Sequence, residues 1–277
     1  MSIRVSALSE PIKQLHGLLQ AVSVETIDDD RWQYGEPITF LADPCGPASV
    51  FALGECVDGV TSDPYGADGK PSEPMVVGEA CGFEVVYGNS CSARTLVDPD
   101  FDVRSAASRG LAAKEDIAVE SAVWQSFLGA GLVDCVEPAV DVCPDAVKAT
   151  QAVAAIENAF AECGQIGYIH MPAALLPHLS DVIFPVDGSL RTLGGSIIVA
   201  GQGYGDPLSD PESTSIFGTG GIRLFSGVER FSPDVAESER LAAVNASRNL
   251  VEWRAERSWA IGFDPCCGPF EAKALYC

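Results

Sequence analysis

At 277 residues the chain is long enough to bury a proper core, in one large domain or two small ones. Hydrophobic residues make up 47% and charged residues 20%, a balance that excludes a largely disordered protein. A formal charge of −22 excludes a clasp for nucleic-acid phosphates, which needs cationic neutralisation, and leaves a plain acidic protein or one that lives beside nucleic acid without sticking to it. The acidity is uneven, with 10 Lys/Arg against 31 Asp/Glu over 1–222 but 7 against 8 over 223–277.

The N-terminus shows no sustained apolar stretch of a secretory signal, and no segment approaches the roughly 18 apolar residues of a membrane span. A soluble protein, intracellular at synthesis, is expected. Residues 9–22 predict a short amphipathic helix with Ile12, Leu15, Leu18, Leu19 and Val22 on its stripe, Ser9 as a cap and Pro11 near its first turn. Seven Gly and five Pro fall within 43–82, over twice the background rate for that pair. This stretch reads as an extended arm or long hairpin reaching outward, with strand-like pieces at 50–53 and 74–77 and turns at Asp63-Pro64 and Asp68-Gly69. Residues 83–87 form a better strand.

The clearest helix covers 102–129. Ala106, Gly110, Ala113, Ile117, Ser121, Trp124 and Leu128 recur at steps of three or four, while Lys114, Glu115 and Asp116 gather mid-helix. It exceeds the usual three turns and stops at Gly129 and Gly131. A second helix is predicted over 144–163, with Val147, Val153, Ile156 and Phe160 as its apolar face and Gly164 and Gly167 ending it. A strand at 168–171, a short helix at 172–180 and a strand at 196–200 then indicate a small mixed α/β module. A Gly-, Pro- and Asp-rich loop fills 201–211, and 222–225 returns to a strand. No period of 20–50 residues repeats, which excludes a solenoid.

The last quarter holds a strict alternation. Odd positions read Val251, Trp253, Ala255, Arg257, Trp259, Ile261 and Phe263, and the even positions between them are Glu252, Arg254, Glu256, Ser258, Ala260 and Gly262. Period two is the signature of a half-buried strand. Ordinary strands run about five or six residues, so this length suggests an elongated subunit with a backbone-like sheet. The odd face is expected to pack beneath the 102–129 helix through Ile117 and Trp124.

Chemistry is thin. The ten cysteines include no C-x-x-C pair, so neither a zinc site nor a thioredoxin-like motif is indicated. Free, small buried hydrophobes are the expected state, with disulfides the reading that requires an oxidising setting. There are three histidines. A Cys–His hydrolase can be assembled on paper from Cys81 or Cys163 with His170, yet nothing flanking these cysteines marks a nucleophile, and the plainer expectation is a core or interface histidine. His16 and His178 fall on the first helix and a short helix. The glycines at Gly201, Gly203 and Gly205 follow a strand but run into Asp206-Pro207, so no helix N-terminus is available for phosphate. Gly218, Gly220 and Gly221 precede a strand, and both runs read as turns. The pairs Asp98/Asp100 and Glu237/Glu239 sit in loops of an acidic protein. No catalytic, cofactor-binding or metal site is expected, and no enzyme activity.

The order of pieces, rather than any short string, carries a resemblance. FEVVYGNSC at 83–91 runs through Phe101 into Ala106 and on to Glu120 and Trp124. GYIHMPAALLPH follows at 167–178, then Gly203-Tyr204-Gly205, Thr219-Gly220 and the stretch 249–264. Over about 75–277 the chain resembles the major capsid proteins of tailed bacteriophages, in particular those of phages infecting actinobacteria, a fold shared with encapsulins. The resemblance implies an α+β fold divided into an N-terminal arm (1–34), an extended loop region (35–82), a peripheral domain with a long spine helix (83–134), an axial domain (135–221) and a return to the peripheral sheet (222–277). It implies a structural protein of the virion that assembles with itself, as hexamers and pentamers, into an icosahedral shell around double-stranded DNA. Assembly would take place in the host cytoplasm, with scaffolding, portal and decoration proteins as further partners, no cofactor and no membrane. Lys70 lies where one branch of the family forms covalent cross-links, but no partner residue is indicated. The rival readings are an encapsulin-type compartment shell, a small Cys/His enzyme and a tail or head-decoration protein.

Overall fold

The computed structural model describes residues 15–28, 38–41, 77–92, 103–129, 138–205, 213–232, 244–245 and 250–275. The Gly- and Pro-rich stretch 43–76, Lys70 and the pairs Asp98/Asp100 and Glu237/Glu239 lie outside the described residues.

The alternating run does form one strand. With strands numbered β1 to β14 along the chain, this is β13 (Leu250–Phe263). It pairs antiparallel with the still longer β3 (Val77–Ser92), from Leu250 opposite Ser92 to Ile261 opposite Cys81. Around this ribbon the first sheet has the order β1-β10-β13-β3-β2, using Val24–Thr26, Ile222–Ser226 and Ile38–Leu41 as β1, β10 and β2. Two short strands, β11 (Arg230–Ser232) and β12 (Val244–Asn245), also pair with β13. β3 therefore extends through residues 77–82, which the sequence assigned to the extended loop region. Their pairing with both β13 and β2 draws them into the sheet.

Parity along β13 holds as expected on the odd side: Trp253, Ala255, Trp259 and Ile261 are buried. The even side is exposed at Arg254 but buried at Ser258 and Ala260. Ala260 packs with Ala80 and Phe225, covered by Ile27, Ile38 and Phe40, so one end of this sheet is buried on both faces.

The first helix of the chain is a single turn, α1 (Leu18–Ala21), with Leu18 fully buried. Residues 9–14 of the longer helix expected there lie outside the described residues. The long helix α2 (Val103–Phe127) matches its predicted span, about 38 Å at 1.5 Å per residue. Its buried stripe is not the predicted one. Ala107, Leu111, Glu115, Val119 and Val123 face inward together with Asp116, Glu120, Trp124 and Phe127, whereas Ala113 and Leu128 are exposed and Ile117 is only half-buried. A helix rich in Ala and Gly has a weak apolar pattern, and carboxylates take core positions because partners meet them there.

The second sheet has the order β4-β14-β9-β5-β8-β7-β6. Its strands are β4 (Val140–Lys148), β5 (Tyr168–Pro172), β6 (Ile183–Val186), β7 (Ser189–Thr192), β8 (Ile197–Gly201), β9 (Ser213–Thr219) and β14 (Phe270–Leu275). Two expectations are corrected here. The helix predicted from 144 starts only at Ala149, as α3 (Ala149–Cys163), because 140–148 pairs with β14 as a strand whose register shifts on both sides of Cys143, the second shift spanning Pro144. The return of 222–277 to the first sheet also ends at Phe263. β14 crosses to the second sheet between β4 and β9.

α3 packs one face of this sheet: Ala152, Val153, Ile156 and Phe160 meet Ile169, Ile198, Ala200, Ile216, Ala272 and Ala274. It closes at Gly164, whose φ of 71° is a left-handed cap. The opposite face, through Val199 and Phe217, shares a core with α2 and the first sheet, so α2 is the layer between the two sheets.

The cysteines depart from expectation. Cys163, at the end of α3, is disulfide-bonded to Cys267, 104 residues away, with a Cα–Cα distance of 5.7 Å. Cys81 and Cys266 are also disulfide-bonded, and Cys143 is free. Spacing along the chain carries no information about pairs that only packing brings together.

Candidate functional site at the junction of the two sheets

Buried Glu115, Asp116, Glu120, His170 and Thr219 collect where α2 meets the sheets. His170 opposes Val199 in β8 and Phe217 in β9, so it points to the α2 side of the second sheet. It is fully buried. Its Nδ1 lies 2.9 Å from the Tyr204 hydroxyl and its Nε2 2.9 Å from Thr219 Oγ1. Phe127 and Tyr204 bring their rings to within 5.4 and 5.5 Å of the imidazole. Burial lowers the His170 pKa to about 3. The Tyr204 hydroxyl is pushed well above its ordinary value by burial, and further by the charge of Glu120. Both groups therefore stay neutral near pH 7.

Glu120, on α2, is fully buried and joins three distant segments. The Leu18 N–H donates to its Oε1 at 2.9 Å, and the Gly203 N–H to its Oε2 at 3.0 Å. Position 203 must be Gly, because a Cβ there would run into the backbone carbonyl of Ile117. Two further bonds hold the N-terminal segment: the Ala200 N–H donates to the His16 carbonyl at 2.7 Å, and Gln20 Nε2 donates to Asp116 Oδ2 at 3.2 Å.

A second buried carboxylate ties α2 to β13. Glu115 accepts from the Trp259 indole N–H at 2.9 Å and from Arg257 Nη1 at 2.8 Å. Arg257 Nη2 continues to Glu229 at 3.2 Å. Burial raises the Glu115 pKa, with Trp259 and Arg257 working against that rise.

The chain passes between the sheets twice at one place. β9 leads into β10 through Gly220 and Gly221, and β13 leads into β14 through 264–269. The Gly220 N–H donates to the Cys267 carbonyl at 2.8 Å, and the Asp264 N–H to the Gly221 carbonyl at 2.8 Å. Within the second crossing the Cys266 N–H donates to Asp264 Oδ1 at 2.9 Å.

No family model matches the sequence, and no curated protein does. Solved structures match along nearly the whole chain. A structure from Microbacterium phage Oxtober96 matches 99% of this chain and 95% of its own, with a TM-score of 0.52 at 12% identity. The capsid of an empty GTA particle with C5 symmetry matches over 99% and 94%, with a TM-score of 0.51 at 15% identity. The capsid of the native GTA particle gives the same coverage and TM-score at 12% identity. The chain has the fold of a phage capsid protein.

In this capsid fold the residues from which a hydrolase could be assembled are otherwise engaged. Cys163 and Cys81 are in disulfides, and both ring nitrogens of His170 are taken by Tyr204 and Thr219. His178 lies exposed at the end of a 3-10 helix, Ala173–Leu179. Among the described residues no group of three or more His, Cys, Asp or Glu is placed to hold a metal, and no helix is long and apolar enough to cross a membrane. The glycine run at 201–205 wraps the Glu120 carboxylate and the 218–221 run makes a crossing between sheets, which explains both without a phosphate. Sequence reasoning missed Glu115, Glu120, Tyr204 and Thr219. The one available signal was acidic residues clustered inside an otherwise alanine-rich helix.

Proposed function

We propose that this chain is the major capsid protein of a tailed bacteriophage, assembling as hexamers and pentamers into an icosahedral head shell around double-stranded DNA. The observation that carries this reading is the match of 99% of the chain to capsid structures. Several features support it. Large apolar side chains gather at the β6–β7 end of the second sheet: Phe184 and Val186 on β6 are 41% and 42% exposed, and Leu193 in the following turn is 79% exposed. Single exposed apolar residues are ordinary, but three on one edge hairpin fit a face covered by a neighbouring copy on this reading. A charge of −22 gives a wall that DNA can move against without adhering. On this reading the partners are copies of the chain itself, joined in the head by scaffolding, portal and decoration proteins, with assembly in the host cytoplasm and no catalytic turnover. Electron microscopy and sedimentation of purified protein test it. Closed shells, or discrete pentamers and hexamers, are expected. A stable monomer across concentration and salt overturns the reading.

A further inference from the structure

The crossing between the sheets is a hinge by construction, because two adjacent segments, 220–221 and 264–269, carry the chain from one sheet to the other. Backbone hydrogen bonds hold the two segments to each other. The Cys163–Cys267 bond adds a third element, anchoring the hinge to the C-terminal end of α3 on the second sheet. Cys266, the neighbouring hinge residue, is disulfide-bonded too. Cys163 and Cys267 are 104 positions apart in the sequence, and the packing of α3 and β14 on the same sheet holds them at bonding distance.

We propose that Cys163–Cys267 is an oxidation-set lock on this hinge, closed after folding, whose redox state sets how firmly the second crossing is held to α3 and the second sheet. On the capsid reading above, on which this part rests, the subunit assembles with the pair reduced and the lock closes afterwards in an oxidising medium. The oxidant is a low-molecular-weight disulfide. Cys163 is half-buried and Cys267 is 2% exposed, so Cys163 reacts first. Its thiolate attacks the small disulfide and forms a mixed disulfide, releasing one small thiolate. The Cys267 thiolate then attacks the Cys163 sulfur and releases the second. Two protein thiols are oxidised, one small disulfide is reduced to two thiols, and the two thiol protons pass to the departing thiolates.

The test compares the full-length wild type with Cys163→Ser, each purified under dithiothreitol and then exposed to oxidised glutathione. Differential alkylation with mass spectrometry follows the thiols, thermal unfolding the stability, and electron microscopy the shells. The wild type is expected to lose the Cys163 and Cys267 thiols on oxidation and to gain roughly 10 °C in Tm beyond any gain in Cys163→Ser, the size suited to closing a loop of this length. Comparing the two removes the contribution of the other disulfides. An equal gain in both proteins overturns the lock. So does a wild type that stays unfolded under dithiothreitol, since the bond would then be a condition of folding. If no shells form in either redox state but the difference in Tm appears, the lock stands and the capsid reading falls. If shells form and the difference is absent, the reverse holds.

Discussion

The two long helices bury their faces in different material. α3 lies on the second sheet chiefly through hydrocarbon, with Val153, Ile156 and Phe160 against Ile198, Ile216 and Ala274, and a polar contact at its rim where Glu157 accepts from the Thr192 hydroxyl. α2, between the sheets, buries Val119, Val123 and Phe127 but also Glu115, Asp116 and Glu120, and it faces His170 and Tyr204. A dry interface tolerates small sliding, since dispersion contacts are many and undirected. A buried carboxylate does not, because each oxygen must keep its donors or bear the cost of desolvation. The dry layer holds one sheet together, and the polar layer sets where three segments and two sheets meet.

The largest effects separate the two layers directly. Phe160→Ala and Trp259→Ala each remove a buried ring, costing about 3–5 kcal/mol. Trp259→Ala also takes a donor from the buried Glu115 carboxylate, about 1–3 kcal/mol more. Denaturant unfolding should find Trp259→Ala the more damaging, and equal losses would remove the distinction between the layers.

Acid should act on the polar layer. The His170 imidazole takes up a proton below about 6.5 in the unfolded chain but only near 3 in the folded one. Falling pH therefore favours unfolding across that window, by up to about 1.4 kcal/mol per pH unit. Glu115 works the other way just above 4.5, because its folded pKa is raised. Stability measured from pH 7 to 5 should decline in the wild type and decline less in His170→Gln. Parallel slopes would show that the imidazole is not held neutral by burial.

Glu120→Gln keeps the shape and one acceptor but turns an amide NH2 toward a backbone donor, at a cost of about 1–3 kcal/mol. Amide exchange should quicken at Leu18 or Gly203, whose N–H groups Glu120 holds. Unchanged exchange at both would place the anchoring of the N-terminal segment elsewhere. The smallest effect is expected for Ser258→Ala, within about 1 kcal/mol, because it loses only the 3.1 Å bond from Arg230. A loss as large as that of Trp259→Ala would reverse the parity of β13.

The residues alone determined the elements whose signals are local. β13 follows from an unbroken period of two, α2 from its length and its stop at Gly129, and the strand carrying His170 from a short apolar run between turns. The likeness to capsid proteins also rested on the order of such elements, and the fold agrees with it. Tertiary structure alone decided the rest. Pro144 sits in a strand because β14 offers a partner, and β14 joins the second sheet because the chain reverses at 264–269. Glu115 and Glu120 are buried because an indole, a guanidinium and two backbone N–H groups arrive there from distant segments. Cys163 finds Cys267 only across 104 residues. A local pattern records which face of a segment avoids water, but a donor, a sulfur or a sheet edge supplied from elsewhere leaves no mark on the sequence around its partner.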